Sequence, residues 1–525
     1  MRTTTRNKMK RLFLLLSAIL LGIGASAQDA TVRVHEGGTG TLIPKEIYGQ
    51  FSEHLGSCIY GGLWVGKDSP IPNEDGYRLD VLEALKKLQV PVLRWPGGCF
   101  ADDYHWMDGI GPQAQRAYIS NNNWGGTLED NSFGTHEFLN LCEKLGCEPY
   151  ISGNVGSGSV EEMAKWVEYM TSDAKSTMAD LRRANGREEP WKVKYFGVGN
   201  EAWGCGGNMT AQYYGDVYRR YATYLRNYGG NRLYKVASGA SDGDYVWTET
   251  LMKNVGNRMN GLSLHYYSVI NWNDKGSATD FTDTQYYDIL SKTLCIEPIM
   301  RRHIEIMDRY DPQRRVALLV DEWGTWFNVE PGTNPGHLFQ QSTMRDAVVA
   351  ALNLDLFHKY TDRVKMANIA QIVNVLQSMI LTRGAEMVLT PTYHIFEMYK
   401  VHQDAEYLAS ETICGHIDTP QAKRPGYGPV PEVDATVSRK DGVLNVSLVN
   451  TDLQREKKVL VSFDKEGAVS KVLSARILTA GDVRDHNDFG VAPKVAPKAF
   501  NGCKLSRKGI EVTLPPCSIL VLSAQ

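Results

Sequence analysis

Short apolar runs alternate with longer stretches of helical spacing over most of the chain. The runs at 47–51, 90–95, 148–152, 194–198, 235–238, 261–265, 316–320 and 368–373 read as strands. Between them, Leu79, Leu82, Leu85 and Leu88 recur at helical intervals, and 213–224 carries a second helical pattern. A strand followed by a helix, eight times over, predicts a closed (β/α)8 TIM barrel across 46–400. Barrel strands are covered on both faces and should be apolar throughout. The run Val316, Ala317, Leu318, Leu319, Val320 is so.

The pattern changes after about residue 401. Helical spacing stops, and strict alternation appears at 443–449 and 458–463, punctuated by Gly, Pro and Asp. This predicts an antiparallel β-sandwich over 401–525, with 420–431 as a Pro-rich loop. Residues 28–45 read as strand and turn that join the sandwich. The first 27 residues carry a basic head, an apolar run at 12–23 and the small residues Ala25, Ser26 and Ala27. That is the pattern of a signal peptide cut near Ala27/Gln28, so export to the periplasm or the exterior is expected. No later segment is apolar for the roughly twenty residues of a membrane span.

Composition narrows the partners. Lys plus Arg number 57 against 60 Asp plus Glu, a net charge of −3, which makes no electrostatic case for nucleic acid or an anionic membrane. Eleven Trp and 26 Tyr offer many flat faces for sugar rings. The nine Cys show no CxxC pairing, so no zinc site is expected, and the odd count leaves at least one unpaired. No His/Asp/Glu spacing resembles a ligand set, and no cofactor is expected.

Active sites of such barrels lie at the C-terminal ends of the strands. Two runs end in carboxylates there: Asn200-Glu201 after the fourth, and Asp321-Glu322 after the seventh. Two facing carboxylates are what glycoside hydrolysis needs, one to protonate the leaving oxygen and one to attack carbon or activate water. A separation of about 5–5.5 Å would make the mechanism retaining. Adjacent strand residues point to opposite faces, so only one of Asp321 and Glu322 is expected to face the pocket. Glu53, His54, Arg94, Asn154, His265, Tyr267, Gln371 and Asn374 stand at other strand ends, and Trp95, Trp106, Trp124 and Trp203 are candidate stacking faces.

At these residues the chain resembles the α-L-arabinofuranosidases of glycoside hydrolase family 51. The motifs run in the family's order: Tyr48 to Gly56 with Ile59 to Leu63, Leu93 to Phe100, Trp106 to Pro112, Phe133 to Phe138, Gly199 to Glu201, Asp321 to Trp323 and Ala370 to Val375. The resemblance implies a (β/α)8 barrel with a sandwich that takes in the N-terminal strands. It implies retention of configuration, Glu201 as acid/base and Glu322 as nucleophile. It implies substrate-binding roles for Glu53, Asn200, Tyr267 and Gln371, with His265 and Trp124 beside them, and Arg94 beneath the nucleophile as a countercharge. Cys99 stands where many members have Asn, and a thiol there is a weaker hydrogen-bonding group toward sugar hydroxyls. The implied substrate is an arabinose-containing oligosaccharide or polysaccharide, and the implied assembly is a homo-oligomer.

Two other readings compete. A retaining endo-β-glucanase would use the same carboxylates in an open cleft. A non-catalytic carbohydrate-binding protein would be expected to have lost one of them, and both are present.

Overall fold

The computed structural model describes residues 28–424 and 427–525. The expected signal peptide lies outside the described residues. Eight parallel strands close into a barrel: Gly49–Phe51, Val92–Trp95, Glu148–Gly153, Tyr195–Val198, Tyr234–Ser241, Gly261–Ser268, Ala317–Thr325 and Val364–Ala370. The eighth returns to the first through the pair Asn368 and Gly49. The leucine-spaced helix spans Leu79–Leu88, with its apolar face inward and a left-handed Gln89 ending it. Helix Met344–Lys359 is buried on nearly every side, because it is wedged between the barrel and the sandwich strand Val433–Lys440.

Two strands differ from their apolar runs. Ile47 and Tyr48 form a buried 3-10 turn, Lys45–Tyr48, and the strand begins only at Gly49. The eighth strand starts at Val364 and ends at Ala370, while Ile372 and Val373 are buried in the loop above it. Apolar runs report burial, and a buried loop reads like a buried strand.

The seventh strand holds the decisive irregularity. Against the sixth strand, Leu319 pairs with Ser263 but Glu322 with His265. Against the eighth, Val320 pairs with Ala367 but Trp323 with Ile369. One extra residue is thus accommodated between 319 and 323, a bulge that resets the side-chain alternation.

The sandwich has two sheets. In one, Ala30–Val34 lies between Ser410–Cys414, antiparallel, and Lys457–Phe463, parallel. The other is built on Val433–Lys440, Val443–Asn450, Ser518–Ala524 and Val472–Thr479. Val32, Val437, Val446, Val461 and Leu520 meet between the sheets with no exposed surface. The N-terminal strand is therefore part of the sandwich core.

Candidate active site

The strand tops converge on a cavity of about 60 Å³, walled by Phe51, Glu53, Cys99, Trp124, Asn200, Glu201, Tyr267, Glu322, Trp326 and Gln371 among others. Roomier clefts of about 570, 630 and 710 Å³ lie elsewhere on the surface, and none gathers these carboxylates.

Glu322 is held at both oxygens. Arg94 Nη1 donates to Oε1 at 2.8 Å, and the Tyr267 hydroxyl donates to Oε2 at 2.9 Å. Arg94 is itself buried over the Phe51 ring, and its other nitrogens donate to Asn200 Oδ1 at 2.6 Å and Ser152 Oγ at 3.2 Å. A guanidinium fixed at three corners positions the carboxylate more sharply than a lysine would.

Glu201 stands opposite, in the left-handed region at φ 39°. A non-glycine residue there costs about 1–3 kcal/mol and persists only where its surroundings impose it. Here Ala202 N donates to Ser238 Oγ and Gly206 N to the Glu201 carbonyl, both at 3.1 Å. His265 Nδ1 lies 2.8 Å from Glu201 Oε1. One oxygen of Glu201, one of Glu322 and a nitrogen of His265 all lie within 4.8 Å of one another. The two carboxylates therefore face each other closely, as double displacement with retention requires.

Burial pushes the Glu201 carboxyl up, the His265 hydrogen bond opposes this, and the Glu322 charge adds to the rise. Burial alone would lower His265, but Glu322, Asp321 and Glu201 outweigh it and raise it to about 10. Burial would raise Asp321, yet Arg94 and His265 hold it below the usual range. The charges then balance: two cations, Arg94 and His265, face three carboxyls, and the set is neutral when one carboxyl keeps its proton. Glu201, whose carboxyl burial pushes up, is suited to keep it.

Of the adjacent pair only Glu322 faces the cavity, yet the two side chains do not part completely. Both reach His265, Asp321 Oδ1 at 3.2 Å from Nε2 and Glu322 Oε2 at 3.5 Å from Nδ1. The cavity thus takes Glu322 alone, as alternation leads one to expect, and the bulge is what lets Asp321 reach His265 as well. Glu322 lines the cavity, while Asp321 sits below it and accepts from Tyr150 at 2.6 Å. The Glu201, His265 and Glu322 trio has the spacing of a cation site, but Arg94 and His265 already pair with these carboxylates.

Glu53 accepts from Phe100 N at 3.0 Å, Trp124 Nε1 at 2.9 Å and Gln371 Nε2 at 3.1 Å. Burial raises its carboxyl to about 7, those donors opposing and the Glu322 charge adding. Cys99 is joined to Cys205 by a disulfide, so the expected free thiol is corrected. The bridge clasps the loops after the second and fourth strands, and Cys205 Sγ lies 3.7 Å from Glu201 Oε2.

Arg94 and His265 lie behind the wall and act on it through other residues. His54 is packed below the site between Glu129 and Trp95, and Asn154 shapes its own loop through Ser157. Asn374 braces a neighbouring loop through Thr382. Trp95 and Trp106 are core residues, and Trp203 donates to Gly239 O, so of the four named tryptophans Trp124 alone lines the cavity. Strand-end reasoning misses Asp102, Trp326 and Leu338. Asp102 accepts from Val155, Gly156 and Asn200 amides and so fixes Asn200, but it sits seven residues beyond its strand. Trp326 follows Glu322 by four residues, a proximity that offers a signal.

The chain is 59% identical over 521 residues to a Bacteroides ovatus protein described as an intracellular exo-alpha-L-arabinofuranosidase, covering 98% of this chain and 100% of that one. The chain belongs to the family 51 α-L-arabinofuranosidases. Residues 84–280 match the alpha-L-arabinofuranosidase 1 domain and 321–518 the alpha-L-arabinofuranosidase C-terminal domain. The GH51 arabinofuranosidase from Xanthomonas axonopodis pv. citri superposes with a TM-score of 0.91 at 47% identity, over 95% of this chain and 100% of that one. The alpha-L-arabinofuranosidase from Thermotoga maritima, solved as an arabinose complex, gives 0.81 at 30% identity over 94% and 100%. The expectation of export does not stand for this arabinofuranosidase family member: the Bacteroides ovatus relative aligns over nearly the full chain and is described as intracellular. No helix among the described residues is long and apolar enough to cross a membrane.

Proposed function

We propose that the chain is a retaining, exo-acting α-L-arabinofuranosidase that releases terminal arabinofuranosyl groups from arabinose-containing oligosaccharides and polysaccharides such as arabinan and arabinoxylan. The observation that carries the mechanism is the pair Glu201 and Glu322, with oxygens within 4.8 Å in one small cavity. Glu322 attacks the anomeric carbon while Glu201 gives its proton to the leaving oxygen, and a glycosyl ester forms on Glu322. Glu201, now a carboxylate, takes a proton from water, which attacks the same carbon from the leaving side and frees arabinose with its configuration retained. Glu53, Asn200, Gln371 and Trp124 hold the sugar, and Tyr267 and Arg94 orient the nucleophile. A small cavity supports an end-on pocket over an open endo cleft. The same reading includes a homo-oligomer, which light scattering on the purified chain tests.

The test is hydrolysis of an aryl α-L-arabinofuranoside beside an aryl β-glucoside and a soluble β-glucan. Turnover of the arabinofuranoside with a retained first product supports the reading. Turnover of the glucan alone overturns the substrate.

A further inference from the structure

Most large apolar side chains are buried, but Trp272 is 52% exposed. It follows the sixth barrel strand, on the same face as the cavity. A single exposed tryptophan is ordinary. This one is placed: its ring meets Trp326 edge to face at 5.5 Å, and Trp326 both lines the cavity and meets the Tyr267 ring at 5.1 Å. Tyr267, Trp326 and Trp272 thus form a continuous aromatic path from the Tyr267 hydroxyl bound to Glu322 outward to solvent.

The path is held in shape. Asn328, two residues past Trp326, donates from its backbone to Gly276 O at 2.9 Å and from its side chain to Asp274 Oδ1 at 3.3 Å. The two loops that carry the tryptophans are therefore tied together. Successive rings stand at 75° and 77° to each other, so the path offers a corner of faces, not a flat strip.

Resting on the proposed function and deepening it, the geometry points to Trp272 as a specificity-determining residue that stacks against the second sugar on the leaving side. Trp326 borders the cavity, so the sugar directly bonded to the departing arabinofuranosyl group meets it first. The next sugar out reaches Trp272. Both rings offer apolar surface that suits the C–H face of a sugar, and Trp272 is half exposed, with the Lys275 ammonium over its ring, 6.0 Å from the centroid. The enzyme is thereby fitted to an arabinofuranosyl chain of at least three units, or to a side chain on a longer backbone, in preference to a disaccharide.

The test compares α-1,5-linked arabinotriose, arabinobiose and an aryl α-L-arabinofuranoside on wild type, Trp272→Ala and Trp272→Phe. Stacking on an aromatic ring corresponds to about a two- to twelvefold effect. Wild type should prefer the triose over the biose in kcat/KM by about that factor. Trp272→Ala should erase the preference through KM, with kcat on the triose held, because the contact forms in ground state and transition state alike. Trp272→Phe should restore most of it. An unchanged triose-to-biose ratio in Trp272→Ala overturns the inference, as does an equal loss on all three substrates. Wild type inactive on the aryl arabinofuranoside would instead overturn the proposed function, so the two failures are distinct.

Discussion

Glu201 shows how much one side chain is asked to do. It holds a left-handed backbone, a raised carboxyl and a hydrogen bond to a protonated histidine. In the proposed mechanism Glu322→Gln removes the attacking carboxylate oxygen, and turnover of aryl arabinofuranosides should fall below about a thousandth of wild type with the melting temperature retained. Glu201→Ala should cost about 10²–10⁴ on poor leaving groups and far less on an activated nitrophenyl group that needs no proton. Side-by-side kcat values on the two leaving groups check this. The pH profile carries a sign. In the proposed mechanism Glu201 enters the first step protonated, so kcat/KM should fall as pH rises through its elevated value. With Glu201→Ala and the activated substrate, that alkaline limb should vanish. A limb that persists would point to Glu53, whose carboxyl sits at about 7. Among these side chains, Glu53, Glu201, Tyr267, Glu322 and Gln371 were legible at strand ends. Asp102 was not, because its contacts to Val155 and Asn200 cross between loops.

Strands and loops then decide where those side chains point. Alternation along a regular seventh strand would have separated Asp321 from Glu322, and the bulge between 319 and 323 brings both to His265. Nothing in the residue types announces it, since a bulge is a mismatch in pairing with neighbours that are distant in sequence. The clasp Cys99–Cys205 joins loops that are 106 residues apart. Closing so long a loop should contribute about 2–4 kcal/mol. The Cys99→Ser, Cys205→Ser double variant should melt a few degrees lower than the oxidised wild type, and reductant should lower the wild type by a similar amount. Equal midpoints would mean that the Asp102 bonds hold these loops unaided.

Barrel and sandwich form one body through the helix Met344–Lys359. There Asp355 meets Asp434 carboxyl to carboxyl, and burial pushes both up, Asp434 to about 6. A carboxyl raised on folding stabilises most when protonated. Its contribution is full below the ordinary value of 3.8 and is lost as pH rises through about 6. Asp434→Asn should flatten the fall in melting temperature over that window, and an identical slope in the variant would place the titration elsewhere. The chain order of apolar runs was enough to specify an eight-strand barrel followed by a sandwich, because burial on both faces or on one leaves a readable period in the residues. It also placed two carboxylates at strand tops. Their separation, the bulge that lets Asp321 reach His265, the partner of Cys99 and the docking of Ala30–Val34 between strands some 400 residues away came only with folding. Each depends on contacts between segments far apart in sequence, and local patterning holds no record of how distant segments register.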